Sequence, residues 1–284
     1  MSRPLEGTIA VVTGSSRGIG KGCAVALGEA GATVYVTGRT TGNGPLTIDT
    51  TAAQVTESGG HGIPVQVDHF HDDEIAALFA RVRDDHGHLD VLVNNVFKIP
   101  DEPAWAGGFW EHPIQIWDDQ VGIGLRAHYV ASWHAAPLLF EASGGGPGAL
   151  IANITSPGGI TYLFSSSYGT GKAGLDRFTH DMAIELQPKG VTAMAFCPGP
   201  VATEFILEQA DKGVIPPPEG AETPLFIGRT VAAVAADPDK LSKTGRVHWT
   251  TELAAEYDIV DEDGFRADSF RSRYEHLPRA DPYA

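Results

Sequence analysis

A tyrosine and a lysine four residues apart lie in the segment Tyr168-Gly-Thr-Gly-Lys172. On a helix this spacing places both side chains one turn apart on the same face. A phenol has a pKa of about 10 and exchanges protons poorly at neutral pH, but a neighbouring ammonium favours the phenolate and lowers that pKa. Ser156 lies twelve residues before the tyrosine, at the predicted end of a strand, with Thr155 beside it as the alternative hydroxyl. The pattern predicts proton transfer at an oxygen atom, with a hydroxyl to polarise the reacting group.

A glycine-rich turn follows the first predicted strand, with the sequence Thr13-Gly14-Ser15-Ser16-Arg17-Gly18-Ile19-Gly20. Glycine is needed where the backbone turns with positive φ, approaches a pyrophosphate closely, or packs a helix tightly on a sheet. The helix that begins here presents free N–H groups and the positive end of its dipole to phosphates. The order of strand, turn and helix favours a dinucleotide site over the alternative, a glycine turn without a ligand.

The second predicted strand ends in Gly38-Arg39, and no Asp or Glu occurs between Gly31 and Thr47. A carboxylate at this place would bind the ribose 2′-hydroxyl of NAD, whereas an arginine accommodates the 2′-phosphate of NADP. Arg39 and Arg17 together can form charge-assisted bonds to that phosphate. The alternative for a lone arginine is a solvated strand end. We therefore predict NADP(H) as the preferred coenzyme, with NAD(H) less favoured.

Short apolar segments alternate with segments of helical period along the chain. Strands are predicted at residues 8–13, 32–37, 63–67, 89–94, 149–154, 191–196 and 245–249, and helices at 18–30, 72–86, 117–139, 168–186 and 223–236. This alternation predicts an α/β fold, a single-domain doubly wound parallel sheet of the Rossmann type with about seven strands. In such sheets ligands bind at the carboxyl ends of the strands, which is where the glycine turn and Ser156 fall.

Composition excludes several classes of protein. The 284 residues include 36 acidic and 20 basic side chains, a formal charge of −16, which does not favour nucleic-acid binding. The two cysteines, Cys23 and Cys197, cannot form a disulfide framework or a thiolate zinc site. No apolar run reaches the roughly 18 residues of a membrane span, and the first six residues lack the apolar core of a signal peptide, so we expect a cytoplasmic protein. We predict one domain over 1–249, with an insertion at 97–113 and a small lid at 204–225, followed by a C-terminal extension at 250–284 without an assigned role.

The glycine spacing and the set Ser156, Tyr168 and Lys172 resemble the short-chain dehydrogenase/reductase family, and the resemblance extends to Trp249. It implies that Tyr168 exchanges a proton with the substrate oxygen and that Ser156 stabilises the developing oxyanion charge. Lys172 would lower the pKa of Tyr168 and bind the nicotinamide ribose. The hydride itself would pass to or from the coenzyme.

The resemblance also implies a set of coenzyme-binding residues beyond Tyr168 and Lys172. These are Gly14, Ser16, Arg17, Gly18, Ile19, Gly20, Arg39, Asp68, Asn94, Pro198, Val201 and Thr203. Asp68 would contact the adenine ring or, alternatively, cap the following helix. Asn94 would brace the sheet on the adenine-ribose side, while the Val201 backbone and the Thr203 hydroxyl would hold the carboxamide.

Two departures from the family pattern stand out. Where the family usually has Asn-Asn-Ala-Gly, the last two residues of the motif are Val96 and Phe97 in this chain. Gly124 occupies the position where the family usually has an asparagine that anchors a water in the proton relay. A mid-helix glycine costs about 1 kcal/mol against alanine, so a local reason is expected. We expect solvent or a backbone carbonyl to carry the relay. The segments at 109–111, 117–119, 124–129 and 156–158 resemble one sub-branch, that of the mammalian dehydrogenase/reductase member 1.

We predict an NADP(H)-dependent carbonyl reductase or alcohol dehydrogenase acting on a small-to-medium apolar substrate of unassigned identity. Aromatic residues could line its pocket, or lie in the core or a subunit contact: Phe97, Trp105, Phe109, Trp110, Tyr162, Phe164 and Phe205. The alternative is a catalytically weak NADPH-binding sensor, which Gly124 alone favours. A metal site at His69 and His71 or at His86 and His88 is disfavoured, because such histidines are usually solvated or cap a helix. The resemblance implies a homodimer or homotetramer, because the family commonly packs its fourth and fifth helices, the fourth being the long helix predicted here at 117–139, into two-fold contacts.

Overall fold

A computed structural model describes residues 3–101, 107–143, 148–266 and 268–274. Within these ranges seven strands form one sheet: β1 (Ile9–Val12), β2 (Thr33–Gly38), β3 (His61–Gln66), β4 (Val91–Asn94), β5 (Leu150–Ile154), β6 (Thr192–Cys197) and β7 (Val247–Trp249). All neighbours are parallel, in the order β3-β2-β1-β4-β5-β6-β7. The predicted seven-stranded, doubly wound Rossmann-type sheet is confirmed.

Helices connect the strands and cover both faces of the sheet. They are α1 (Gly18–Glu29), α2 (Ile48–Glu57), α3 (Asp72–His86), α4 (Gln115–Trp117), a π-helical segment (Asp118–Arg126), α5 (Ala127–Ser143), α6 (Ser166–Leu186), α7 (Glu204–Asp211), α8 (Pro224–Ala236) and α9 (Thr250–Glu256). Threonine or serine hydroxyls accept the first free N–H groups of several helices, as at Ser165 before α6 and Thr203 before α7. Within the described ranges, no helix combines the length and apolar character needed to cross a bilayer.

The central strands are buried on both faces, as their uninterrupted apolar sequences predict. One apolar cluster joins the sheet to α1 and α8, and a second joins the opposite face to α3, α5 and α6. The edge strand β3 is half-exposed. The carboxyl ends of β1, β4, β5 and β6 therefore share one edge of a rigid, two-sided core.

The helix predicted at 117–139 is not continuous. It is divided into the short α4, the π-helical segment and α5, and both Gly122 and Gly124 lie in the π-helical part. A π-helical turn departs from the regular hydrogen-bond ladder and often marks a functional site. The periodicity of apolar residues predicted the helix but not this change of winding.

The C-terminal extension packs onto the sheet as far as it is described. Phe270 is 1% exposed and forms a small cluster with Cys197 and Trp249. Tyr274 stacks on Trp249, with ring centroids 5.8 Å apart. The Asp261 carboxylate accepts hydrogen bonds from the backbone N–H and the hydroxyl of Thr223, the residue that caps α8. Residues 250–274 thus complete the wall beside the carboxyl end of β6.

Candidate active site

The three predicted catalytic side chains meet at the carboxyl end of β5. The Tyr168 hydroxyl donates a hydrogen bond to Ser156 Oγ at 2.8 Å, and the Lys172 ammonium donates to the carbonyl of Ile154 at 3.0 Å. Ser156 Oγ also accepts from the Gly158 N–H at 3.0 Å, which fixes the hydroxyl at the start of a short 3-10 turn. Thr155, the alternative hydroxyl, is buried at 2% exposure. The hydrogen bond to Tyr168 therefore favours Ser156 for the polarising role.

Two consecutive glycines make room for this cluster. A Cβ at Gly158 would lie 2.6 Å from a ring carbon of Tyr168, and one at Gly159 would lie 2.1 Å from a carboxylate oxygen of Asp176. Asp176 was not predicted as a site residue. It follows Lys172 by one helical turn, and one of its oxygens is buried without a hydrogen-bond partner.

Burial dominates the electrostatics of the cluster. It raises the pKa of Tyr168 to about 12, although the hydrogen bond with Ser156 opposes the rise. It also lowers the pKa of Lys172 to about 8 against the opposing attraction of Asp176, whose own pKa burial raises to about 6. The sequence led us to expect that Lys172 lowers the pKa of Tyr168. In the structure, desolvation of the phenolate is the larger effect on this pKa, and the lowering by Lys172 stays a prediction.

The glycine turn has the backbone that a phosphate site requires. Gly14 and Gly18 have φ angles of +66° and +57°, which other residues rarely adopt. A Cβ at Gly20 would lie 2.3 Å from the amide nitrogen of Asn95. That amide donates 2.9 Å hydrogen bonds to the carbonyls of Thr13 and Gly14 and so holds the turn from the neighbouring strand. Asn95 is a positioning residue that sequence reasoning did not single out.

A carboxylate already contacts the N-terminus of α1. Oε2 of Glu204, the first residue of α7, accepts a hydrogen bond from the Gly18 N–H at 2.8 Å. This N–H belongs to the group predicted to bind a pyrophosphate, and a carboxylate satisfies the same dipole. Glu204 lies 186 positions from Gly18, so no local pattern could identify the contact.

A cleft of about 520 Å³ runs along the sheet edge from the glycine turn to the insertion. Its lining includes Gly14, Ser16, Arg17, Arg39, Asp68 and Phe97. One guanidinium nitrogen of Arg39 lies 3.9 Å from an Asp68 carboxylate oxygen, and Arg17 donates to the Leu46 carbonyl at 3.4 Å. Both arginines therefore border the cleft, as the prediction for a 2′-phosphate requires.

Other predicted coenzyme residues have structural contacts. The Asn94 side chain is fully buried and donates to Ser132 and Asn153, so it braces the sheet from within the core. Ile19 packs partly against the core beneath the turn. The Thr203 methyl group would lie 3.5 Å from a Cβ at Gly18.

The Pro198–Val201 loop is held from below. Glu222 is buried, and one of its carboxylate oxygens accepts the Gly199 N–H at 2.7 Å, while the other has no partner. Val201 forms a β-bridge with Glu222, and a Cβ at Gly199 would lie 2.1 Å from the Phe270 ring. The loop expected to hold a carboxamide is thus fixed by residues distant in the chain.

The predicted aromatic residues divide into two groups. Phe97 and Phe164 both contact Tyr168 edge to face, with centroids 5.8 and 5.1 Å from its ring, and Phe205 lines the cleft. Phe109, Trp110 and Tyr162 are exposed by 54–76%. Trp105 lies outside the described residues.

One histidine of the disfavoured metal site, His69, contacts a hydroxyl group instead. His69 Nε2 lies 3.1 Å from the Thr37 hydroxyl, and burial lowers the His69 pKa to about 4. Over the ranges that the structure describes, no three His, Cys, Asp or Glu side chains are grouped to hold a metal.

Comparisons with known proteins agree with this geometry. A family model described as short chain dehydrogenase matches residues 8–212. Dehydrogenase/reductase SDR family member 1 from mouse is 39% identical, over 93% of this chain and 86% of its own length. A metagenomic short-chain oxidoreductase solved in complex with NADP is 28% identical, with a TM-score of 0.67 over 84% of this chain and 94% of its own. A short-chain type dehydrogenase/reductase from Mycobacterium marinum, 24% identical, shares the fold with a TM-score of 0.73 over 86% of this chain and 94% of its own.

Proposed function

The chain belongs to the short chain dehydrogenase family, and from that premise we propose that it interconverts a carbonyl compound and an alcohol with NADP(H) as coenzyme. The observation that supports this most directly is the hydrogen bond between Tyr168 and Ser156 at the carboxyl end of β5, with Lys172 one turn away. That arrangement supplies a proton donor and an oxyanion-stabilising hydroxyl at one point, next to Phe97, which lines the cleft.

The protein groups have distinct parts in the proposed reduction. Ser156 Oγ accepts hydrogen bonds from Tyr168 and Gly158, so its own hydrogen is available to a substrate oxygen. Tyr168, which burial keeps protonated at neutral pH, then transfers its proton to that oxygen as negative charge develops. Lys172 supports the resulting phenolate with its positive charge.

The cleft suits a dinucleotide. The positive φ angles of Gly14 and Gly18 and the space at Gly20 are what close approach of a pyrophosphate needs. Arg17, Arg39, Asp68, Val201, Thr203 and Lys172 would hold the other parts of the coenzyme. A bound nicotinamide coenzyme supplies the hydride in reduction and accepts it in oxidation. The preference for NADP(H) rests on Arg39 and Arg17 at the cleft and on the absence of an acid between Gly31 and Thr47.

Two aromatic rings flank the proposed proton donor. Phe97 and Phe164 meet Tyr168 edge to face, and Phe164 adopts a φ of +60°, which is rare for a bulky residue. Apolar walls next to the reacting hydroxyl favour a substrate whose carbonyl is attached to an apolar or aromatic group. We propose small-to-medium aldehydes, ketones and quinones as the substrate class.

A homodimer is part of this proposal. Tyr129 and Trp133 on α5 and Ile184 on α6 expose 54–65% of their surface beside a groove of about 480 Å³. Large exposed apolar residues that adjoin one another commonly mark an interface. The two-fold contact through long helices that the family resemblance implies supports this proposal.

Oxidation of NADPH in the presence of a panel of aldehydes, ketones and quinones tests the proposed reaction. Tyr168→Phe removes the transferable proton, and we expect it to lower kcat/KM by about 10²–10⁴-fold. Tyr129→Phe, a matched change on an exposed tyrosine of α5, should leave the activity unchanged. The alternative, an NADPH-binding sensor, would instead be supported by tight NADPH binding without turnover of any compound, if Tyr168→Phe also left that binding unchanged.

A further inference from the structure

We propose that Phe97 is a positioning residue for the active site: the face of its ring stabilises the Lys172 ammonium, its ring packs against Tyr168, and Gly124 is the residue that gives the ring its place. The part that Phe97 takes in catalysis rests on the proposed function. Its effect on Lys172 is a property of the protein itself.

The ring contacts both partners of the proton donor. Lys172 Nζ lies 5.2 Å from the centroid of the Phe97 ring, within the range of a cation–π interaction. The Phe97 and Tyr168 centroids lie 5.8 Å apart with the ring planes at 88°, an edge-to-face arrangement that aromatic pairs prefer. One side chain from the loop after β4 therefore links two residues of α6.

The ring also explains the glycine in the π-helical segment. A Cβ at Gly124 would lie 3.0 and 3.1 Å from two carbons of the Phe97 ring, closer than an ordinary contact. The Phe97 ring thus covers the helix at Gly124, where any residue other than glycine would push the ring aside. The two departures from the family pattern, Phe97 and Gly124, occupy one space and compensate each other.

Lys172 needs such a contact because its surroundings offer little solvation. The residue is 7% exposed, and its ammonium donates to the Ile154 carbonyl. From its own helix, Asp176 favours the charge, and Cys197 on β6 would do so as a thiolate, but burial keeps that thiol protonated. His128 on α5 faces the ammonium in neutral form, because burial and Lys172 lower its pKa to about 3. The negative face of an aromatic ring adds attraction without a further titrating group.

The protonation of Lys172 can be followed directly by NMR of the whole protein with ¹³C-labelled lysine, with the signal assigned by its loss in Lys172→Met. We expect Phe97→Leu, which keeps the apolar bulk, to lower the Lys172 titration midpoint by about one pH unit. Phe97→Tyr, which keeps the ring, should leave the midpoint within a few tenths of a unit. An unchanged midpoint in Phe97→Leu, or equal shifts in both variants, would overturn the proposal, whether or not the protein turns over a carbonyl compound.

A double-mutant cycle tests the pairing with Gly124. Gly124→Ala places a methyl group against the ring, and we expect it to shift the Lys172 midpoint downward in the wild-type background but not in Phe97→Leu. Strictly additive shifts would show that the two positions act independently and would overturn the pairing. Thermal unfolding of each variant confirms that the comparison is made on folded protein.

If the enzyme reduces a carbonyl compound, the alkaline limb of kcat/KM should move with the Lys172 midpoint. Loss of the ring lowers the pH at which Lys172 loses its charge, so the limb in Phe97→Leu should lie at lower pH than in Phe97→Tyr. A fall in kcat/KM that is uniform across pH would overturn the part that Phe97 takes in catalysis through Lys172 and would assign the loss to substrate contact.

Discussion

Glycines leave the space that the side chains of the reactive cluster occupy. At Gly158 and Gly159 a single added carbon would meet Tyr168 or Asp176, and at Gly124 it would meet Phe97. Each of these glycines yields its space to a titratable or aromatic group from elsewhere in the chain. Conventional substitutions to alanine at these positions therefore disturb the proton donor through its neighbours.

Arg39 should decide between the two nicotinamide coenzymes. Its guanidinium borders the cleft, and a charge-assisted hydrogen bond contributes about 1.5–3 kcal/mol. We expect Arg39→Ala to lower kcat/KM with NADPH by about 10–100-fold and to leave the value with NADH nearly unchanged. For Arg39→Lys, which keeps the charge but loses the planar guanidinium, kcat/KM with NADPH should lie between the values of the wild type and Arg39→Ala. Equal losses with both coenzymes would contradict a contact with the 2′-phosphate.

Individual site residues could be predicted from sequence where the signal is local. The spacing of Tyr168 and Lys172, the strand-end position of Ser156 and the glycine turn all lie within short segments, and the structure brings them to one edge of the sheet. Glu204 could not be found in this way, because it contacts a residue 186 positions away. The raised pKa of Tyr168 was missed because burial depends on the folded environment, which spacing does not report.

Elements distant in the chain meet at the end of a helix. The Glu204 carboxylate at the start of α7, in the segment predicted to form a lid, accepts a hydrogen bond from the first N–H of α1, in the glycine turn. A dinucleotide phosphate and this carboxylate compete for the same dipole. We therefore expect binding of the proposed coenzyme to be coupled to the position of α7.

Glu204→Ala should tighten the binding of NADPH. Removal of the carboxylate frees the Gly18 N–H and removes repulsion of the phosphates, which we expect to lower Kd by about 2–5-fold. Titration by fluorescence or calorimetry measures this change. Glu208→Ala, on the same helix but paired with Lys212, is the control and should leave Kd unchanged. Weaker binding in Glu204→Ala would mean that the contact holds the lid in its binding position.

The loop after β6 should make stability depend on pH through Glu222. Burial raises the pKa of this carboxyl from 4.5 to about 8, with Asp261 adding to the rise and the Gly199 N–H opposing it. Between these pH values the folded protein holds a proton that the unfolded chain releases, so this contribution to stability falls as pH rises from about 4.5 to about 8. Glu222→Gln removes the effect while keeping an acceptor for Gly199.

The expected result is a Tm difference that grows in favour of Glu222→Gln by roughly 6–12 °C between pH 5 and pH 8. Differential scanning calorimetry at several pH values measures it. Glu29→Gln, on α1 and paired with Arg229 near the surface, serves as the comparison. A constant difference between wild type and Glu222→Gln across this pH range would show that Glu222 does not titrate there.

Across the molecule as a whole, the sheet carries the ligand cleft and the outer helices carry the proposed contact between subunits. Trp133 on α5 is 65% exposed and lines the groove beside α6. We expect Trp133→Glu to convert a dimer into monomers at micromolar concentration, because a buried, unpaired charge is costly at an interface. Light scattering after size exclusion measures the mass. Trp110→Glu, at a position that is 76% exposed and lies on a loop away from this groove, should leave the mass unchanged.

The architecture was the most predictable property. Apolar runs at β1, β4, β5 and β6 lie between two layers of helices, and their alternation with helices left few topologies. Two short helices were not predicted from the sequence. Helix α2 lies in a threonine-rich segment, and α9 lies in the C-terminal extension. The π-helical segment was missed because the spacing of apolar residues does not distinguish a π-helical from an α-helical winding.

The position of Phe270 has a consequence for how the protein is made. Its ring lies against Gly199, in the loop that follows β6, and it belongs to a segment that is translated after every strand of the sheet. During synthesis on the ribosome, the glycine turn and most of the sheet can assemble while this segment is still inside the exit tunnel. The wall beside the loop closes only when residue 270 has emerged, so a nascent chain halted before that point can hold most of the sheet while the loop at Gly199 lacks its aromatic neighbour.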